Sequence, residues 1–147
     1  MSRGRRPGAR WGSVMMTLLL ASGLAACGSI TGGRERVVGT IDTIGNDSPR
    51  AAYVTAEGIV VEVTTLGNGC YTKGETDARL LDGRWVITPY DYRDTRRNIA
   101  CPDIARMFEH RVVLQGDTEG VDRVWIRARS ITDGGTVELE VPVIGAS

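Results

Sequence analysis

The chain has 147 residues, room for one domain of ordinary size. Its 18 basic and 18 acidic residues balance, yet Arg3, Arg5, Arg6 and Arg10 all fall in the first ten positions with no acid beside them. Without those four, 14 basic residues face 18 acidic ones, a net charge near −4. An acidic body argues against nucleic acid as a partner, because binding it requires a basic stripe that neutralises phosphates.

The first element is an export signal. The basic stretch from Arg3 to Arg10 leads into an apolar one (Val14, Met15, Met16, Leu18, Leu19, Leu20), and small residues follow up to Ala26. This is the three-part layout of a secretory signal. The apolar run is about ten residues, half of the roughly 20 that a bilayer-spanning helix needs, so a cleaved signal helix over 1–26 fits better than a permanent span. Pro7, Gly8 and Ala9 after the Arg5-Arg6 pair do not suit twin-arginine export, which leaves the general secretory route.

The segment Leu24-Ala25-Ala26-Cys27-Gly28 resembles the lipobox of bacterial lipoproteins, position for position. The resemblance implies a diacylglycerol thioether on Cys27, cleavage just before it, and usually a further fatty chain on the new amino terminus. Each buried methylene contributes about 0.8 kcal/mol, so two or three chains hold a protein on a membrane where one holds it only marginally. Gly28 in the second mature position carries no aspartate retention signal. The expected location is therefore the cell membrane or outer membrane, facing periplasm or exterior. Residues 27–35, rich in glycine and small polar side chains, read as a tether.

From residue 36 to 147 the grammar is that of strands. Val, Ile, Thr and Tyr cluster over 37–44, 52–55, 59–66, 78–81, 84–90, 110–115, 121–130 and 136–143, with Gly, Asp and Asn at the breaks. Asp82-Gly83 is a two-residue hairpin signal and Asp133-Gly134-Gly135 a second turn. Val124, Ile126 and Ala128 alternate with arginines, and Val137, Leu139 and Val141 with Glu138 and Glu140, which predicts one buried face and one wet face. Pro142 removes a ladder donor and suggests an edge strand. Asp103 to Glu109 reads as a turn or two of helix. Seven or eight short strands at near-regular spacing predict an all-β, immunoglobulin-like sandwich, with a small barrel as the alternative.

Residues able to carry chemistry are few. Cys70 and Cys101 form an even pair, and in an oxidising compartment the default is a disulfide; a metal-ligand pair or redox couple is the alternative, without the close spacing of such motifs. His110 is the one histidine, so sites built on two or three histidines are excluded. With Asp103 and Glu109 it offers a weak metal set; a surface or capping role is the plainer reading. Ser29, Ser48, Ser130 and Ser147 lie outside any Gly-x-Ser-x-Gly elbow. The carboxylate pairs Asp91 with Asp94 and Asp117 with Glu119 sit in segments that read as turns. No enzyme activity, cofactor or metal is expected.

One segment, Trp85 to Arg97, combines aromatic and arginine residues as protein interfaces do. Trp85 and Ile87 are expected in the core. Tyr90, Tyr92, Arg96 and Arg97 are the candidate partner-binding loop, for an envelope protein or, alternatively, a small ligand or carbohydrate. The runs Thr65-Leu66-Gly67-Asn68-Gly69-Cys70-Tyr71, Pro89-Tyr90-Asp91-Tyr92 and Ala100-Cys101 are similar to small bacterial lipoproteins with one β-rich domain. That similarity implies the architecture and the Cys70–Cys101 bond but no mechanism. The expected function is a lipid-anchored, non-enzymatic interaction or structural module of the cell envelope.

Overall fold

The computed structural model describes residues 33–45 and 49–146. The signal segment, Cys27 and most of the tether lie outside the described residues. Those described form nine strands and no helix: β1 (Arg34–Val38), β2 (Thr40–Ile41), β3 (Arg50–Thr55), β4 (Gly58–Gly67), β5 (Tyr71–Leu81), β6 (Arg84–Asp94), β7 (Arg106–Val113), β8 (Arg123–Ser130) and β9 (Thr136–Ile144). The all-β expectation holds, and β1 opens two residues ahead of the expected domain start.

All nine strands belong to one hydrogen-bonded sheet instead of two separate ones. Pairing runs from β8 to β2 in parallel, β2 to β4, β4 to β3, β3 to β9 in parallel, and β9 back to β8, which closes a circuit of five strands. β6 joins β8 beside β2, with β1 and β5 on its two edges. β7 runs along the edge of β4 opposite β2 and β3, for Leu66 pairs with both Thr40 and Met107.

Two expected elements change under tertiary pairing. The single strand over 37–44 breaks at Gly39, where the chain passes from β6 to β4 and β8: Gly39 donates its N–H to the Pro89 carbonyl, and its own carbonyl accepts from Arg129. The expected helix at Asp103 to Glu109 is absent. Residues 103–105 carry no regular structure, and Arg106 onward is strand, because β4 offers ladder groups as far as Gly67 and Arg106–Glu109 fill them. Pairing across the sheet outweighs a weak local helical preference.

Local turn chemistry behaves as the residues dictate. Asp82 (φ 50°) and Gly83 (φ 75°) both take positive φ, the primed turn that matches strand twist and joins Leu81 to Arg84. Pro142 faces Arg123 across the β8–β9 ladder, while the bond next to it runs from Val143 N–H to the Asp122 carbonyl. The missing proline donor therefore points away from β8. β9 is an edge only over part of its length, since Val143 and Ile144 pair with β3.

The core follows from alternation. Val61 and Val63 of β4, Trp85 and Ile87 of β6, Val124, Ile126 and Ala128 of β8, and Val141 and Val143 of β9 pack together with Ile41, Ala52, Ile59 and Leu114. Burying each such Val, Leu or Ile stabilises by about 1.5–3 kcal/mol.

Candidate functional site

The inward faces of four strands change from apolar to polar at one level. On β4 the inward series Val61, Val63 continues to Thr65; on β6 Trp85, Ile87, Pro89 continues to Asp91. Leu114, just past β7, and Val112 on it lead back to His110, and on β5 Ala78 leads back to Thr76. A register shift in β5 between Lys73 and Thr76 sets which β5 residue occupies this level.

The result is a closed polar quartet. Thr65 Oγ1 donates to Asp91 Oδ2 at 2.7 Å, and His110 Nε2 lies 3.1 Å from Thr65 Oγ1 and 3.2 Å from Asp91 Oδ1. Thr76 Oγ1 sits 3.0 Å from His110 Nδ1. Since the Thr65 hydrogen is committed to Asp91, Thr65 accepts, and Nε2 of His110 must carry the proton shared between Thr65 and Asp91. The Thr76 hydroxyl then donates to Nδ1 when the ring is neutral and accepts when it is charged. Thr65 is 0%, Asp91 1% and His110 1% exposed, so every polar atom of the trio is met inside the protein and a substrate has no access to it.

Gly39 lies against this quartet. A Cβ there would stand 2.4 Å from Thr65 Cγ2 and 3.2 Å from Asp91 Oδ2, so no larger residue fits unless the cluster moves.

The sequence-predicted sites are placed as follows. Cys27 lies outside the described residues. Cys70 and Cys101 are bonded, with Cα atoms 5.1 Å apart; Cys70 is buried and Cys101 exposed. Tyr90 and Tyr92 belong to β6, not to a loop, because Arg36–Val38 of β1 and Tyr71–Lys73 of β5 extend the ladder on both sides. Their rings are on the outward face and half-buried. The Arg36 guanidinium covers the Tyr90 ring at 3.3 Å from its centroid, and Tyr92 donates its hydroxyl to Glu75 at 2.9 Å, which pushes the phenol above its ordinary range. Arg36 also pairs with Glu75. Only Arg96 and Arg97 stand beyond the strand, exposed, and Arg96 grips Asp94 through its guanidinium and backbone N–H.

Asp91 and Asp94 therefore do not work as a pair: one is sealed inside with His110, the other is outside with Arg96. Asp103 and Glu109 are exposed while His110 is buried, and among the described residues no group of three metal-ligating side chains forms. Asp117 accepts the Glu119 N–H in a turn. Thr65 and Thr76 are the members of the quartet that sequence reasoning missed. The parity of the inward series through Trp85, Ile87 and Asp91 was a usable signal for Asp91.

At the far end of β6 a shallow cleft of about 400 Å³ is lined by Arg84, Trp85, Glu119, Asp122, Arg123 and Trp125, among others. Arg84 lies over the Trp125 ring at 5.2 Å. The buried indole N–H of Trp85 has no hydrogen-bond partner. The chain matches no protein-family model, no curated protein and no solved structure.

Proposed function

We propose that this protein is an exported bacterial lipoprotein, held on the cell envelope by lipid on Cys27, whose β domain is an interaction or structural module and not an enzyme. The observation that carries the reading is Leu24-Ala25-Ala26-Cys27 directly behind an arginine-rich, apolar leader. The Cys70–Cys101 bond supports it, since such bonds persist in oxidising compartments. The non-enzymatic part is supported by the sealing of the His110 quartet: this arrangement, which among the described residues resembles acid–base machinery, is 0–1% exposed at Thr65, Asp91 and His110. On the finer architecture, one continuous hydrogen-bonded sheet in place of two separate ones favours a small barrel over an immunoglobulin-like sandwich.

The second reading, a periplasm-facing small-ligand or carbohydrate-binding domain, draws support from a place other than Tyr90 to Asp94. The cleft beside Trp85 and Trp125 combines indole surface, guanidinium and carboxylate groups, the mixture that polar ligands use.

Intact-mass spectrometry of membrane fractions from wild-type and Cys27→Ala cells, with and without reductant, tests the main reading. The expected result is a diacylglycerol-sized gain in wild type that the variant lacks, plus a two-proton gain on reduction. An unlipidated, soluble wild-type product would overturn the anchor and move ligand binding ahead.

A further inference from the structure

We infer that the segment from Thr95 to Met107 is a membrane-docking surface that lies against anionic phospholipid headgroups. The inference rests on the lipid-anchor reading and adds to it the orientation of the domain.

Hydrogen bonds place this segment at the end of the molecule where the tether arrives. Thr95 N–H donates to the Gly33 carbonyl, Arg34 pairs with Asp94, and Asp94 N–H donates to the Cys70 carbonyl. Gly69 N–H donates to the Pro102 carbonyl, and Arg106 pairs with Gly67. The start of β1, the end of β6, the β4–β5 turn and the start of β7 thus share one end. Gly33 is only six positions along from Cys27, so a lipid on Cys27 keeps that end within about 20 Å of the bilayer surface even with the chain fully extended.

The chemistry of the segment suits a headgroup layer. Ile99 is 38%, Ile104 61% and Met107 57% exposed. Arg97 and Arg106 lie close to them in the chain, are exposed, and form no ion pair with any described residue. With Arg96 held by Asp94, Arg97 and Arg106 stand against Asp103, a small positive excess on an acidic domain. Apolar side chains among arginines are what an interfacial binder presents, the cations to lipid phosphates and the apolar tips to the acyl boundary. The surface is also held in shape: Cys101 is bonded to Cys70, Asp94 holds Arg96, and the Pro102 carbonyl is tied to Gly69. A rigid surface loses little entropy on docking.

The test uses the lipidated protein purified from membranes and reconstituted into phosphatidylcholine vesicles with or without phosphatidylglycerol. Flotation reads the anchor, and hydrogen–deuterium exchange reads the surface. Residues 95–107 should exchange more slowly on phosphatidylglycerol vesicles than on phosphatidylcholine alone, while the β8–β9 turn at 131–135 stays unchanged. Added salt, or the pair Arg97→Glu with Arg106→Glu, should abolish the difference. Each arginine near an anionic surface is worth about a fivefold preference. A protein that floats but shows the same exchange at 95–107 on both vesicles overturns the docking surface and leaves the anchor standing. A protein without lipid that floats with neither vesicle overturns both.

Discussion

His110 and Asp91, from β7 and β6, meet at 3.2 Å inside the protein, although no strand pairing joins β6 to β7. Thr65 bridges them, and the three side chains satisfy one another in place of water. Such a network couples its members, because removing one leaves another buried without a partner. Asp91→Ala and His110→Ala are each expected to lower the unfolding free energy by about 1–3 kcal/mol through the orphaned partner alone. The double variant should cost clearly less than the sum of the two. Urea titrations of the four proteins measure this, and strictly additive costs would show that the contact contributes nothing.

Gly39 is required for space. Gly39→Ala drives a methyl toward Thr65 Cγ2, 2.4 Å from where the new Cβ would lie. Overpacking of this kind costs about 1–3 kcal/mol. Thr65→Ser deletes that methyl and keeps the hydroxyl bonded to Asp91, so adding it to Gly39→Ala should recover much of the loss. Thermal unfolding of the two variants decides it; no recovery would place the damage elsewhere, in the Gly39 backbone bonds to Pro89 and Arg129.

The disulfide joins residues 31 apart and fastens the irregular stretch between β6 and β7 to the β4–β5 turn. On the chain-entropy account a loop of this length is worth about 3–4 kcal/mol. Cys70→Ser with Cys101→Ser should lower the urea midpoint accordingly. Proteolysis of the native variant should cut first between residues 95 and 105, where few other bonds hold the chain. A variant as stable as wild type would mean that β4–β7 pairing alone carries the segment.

Asp94 accepts from the Arg96 guanidinium and backbone N–H, and these bonds hold its carboxyl below the ordinary 3.8. A carboxyl lowered by folding stabilises the native state above its unfolded value, and that contribution disappears as pH falls through the lower folded value. Arg96→Ala should move the Asp94 titration midpoint upward toward 3.8, as followed by carboxyl NMR shifts. It should also make acid unfolding begin at a slightly higher pH. An unmoved midpoint would mean that the ion pair does not persist in solution.

Strand content was readable because it depends on neighbours a few residues apart. β-branched runs, the Asp82-Gly83 turn and the alternation in β8 and β9 all act locally; the turn and the last two strands appear where their residues place them, whereas β5 opens at Tyr71, seven residues ahead of the strand expected over 78–81. The pairing of Cys70 with Cys101 was readable for a different reason: with Cys27 assigned to lipid, these are the two cysteines left. The lipobox reading rests on the sequence itself, being a pattern that an enzyme reads in an extended chain.

What tertiary structure decided are the matters set by distant partners. Arg106 to Glu109 became strand because β4 had open ladder positions, Tyr90 and Tyr92 became strand because β1 and β5 flank them, and the expected strand over 37–44 split at Gly39 because its halves have different neighbours. His110 looked like a surface residue because its partners Thr65, Thr76 and Asp91 come from three other strands. Local propensity acts over a few residues, whereas closing the circuit from β8 through β2, β4, β3 and β9 and sealing a polar cluster beside it depend on backbone and side-chain groups far apart in the chain.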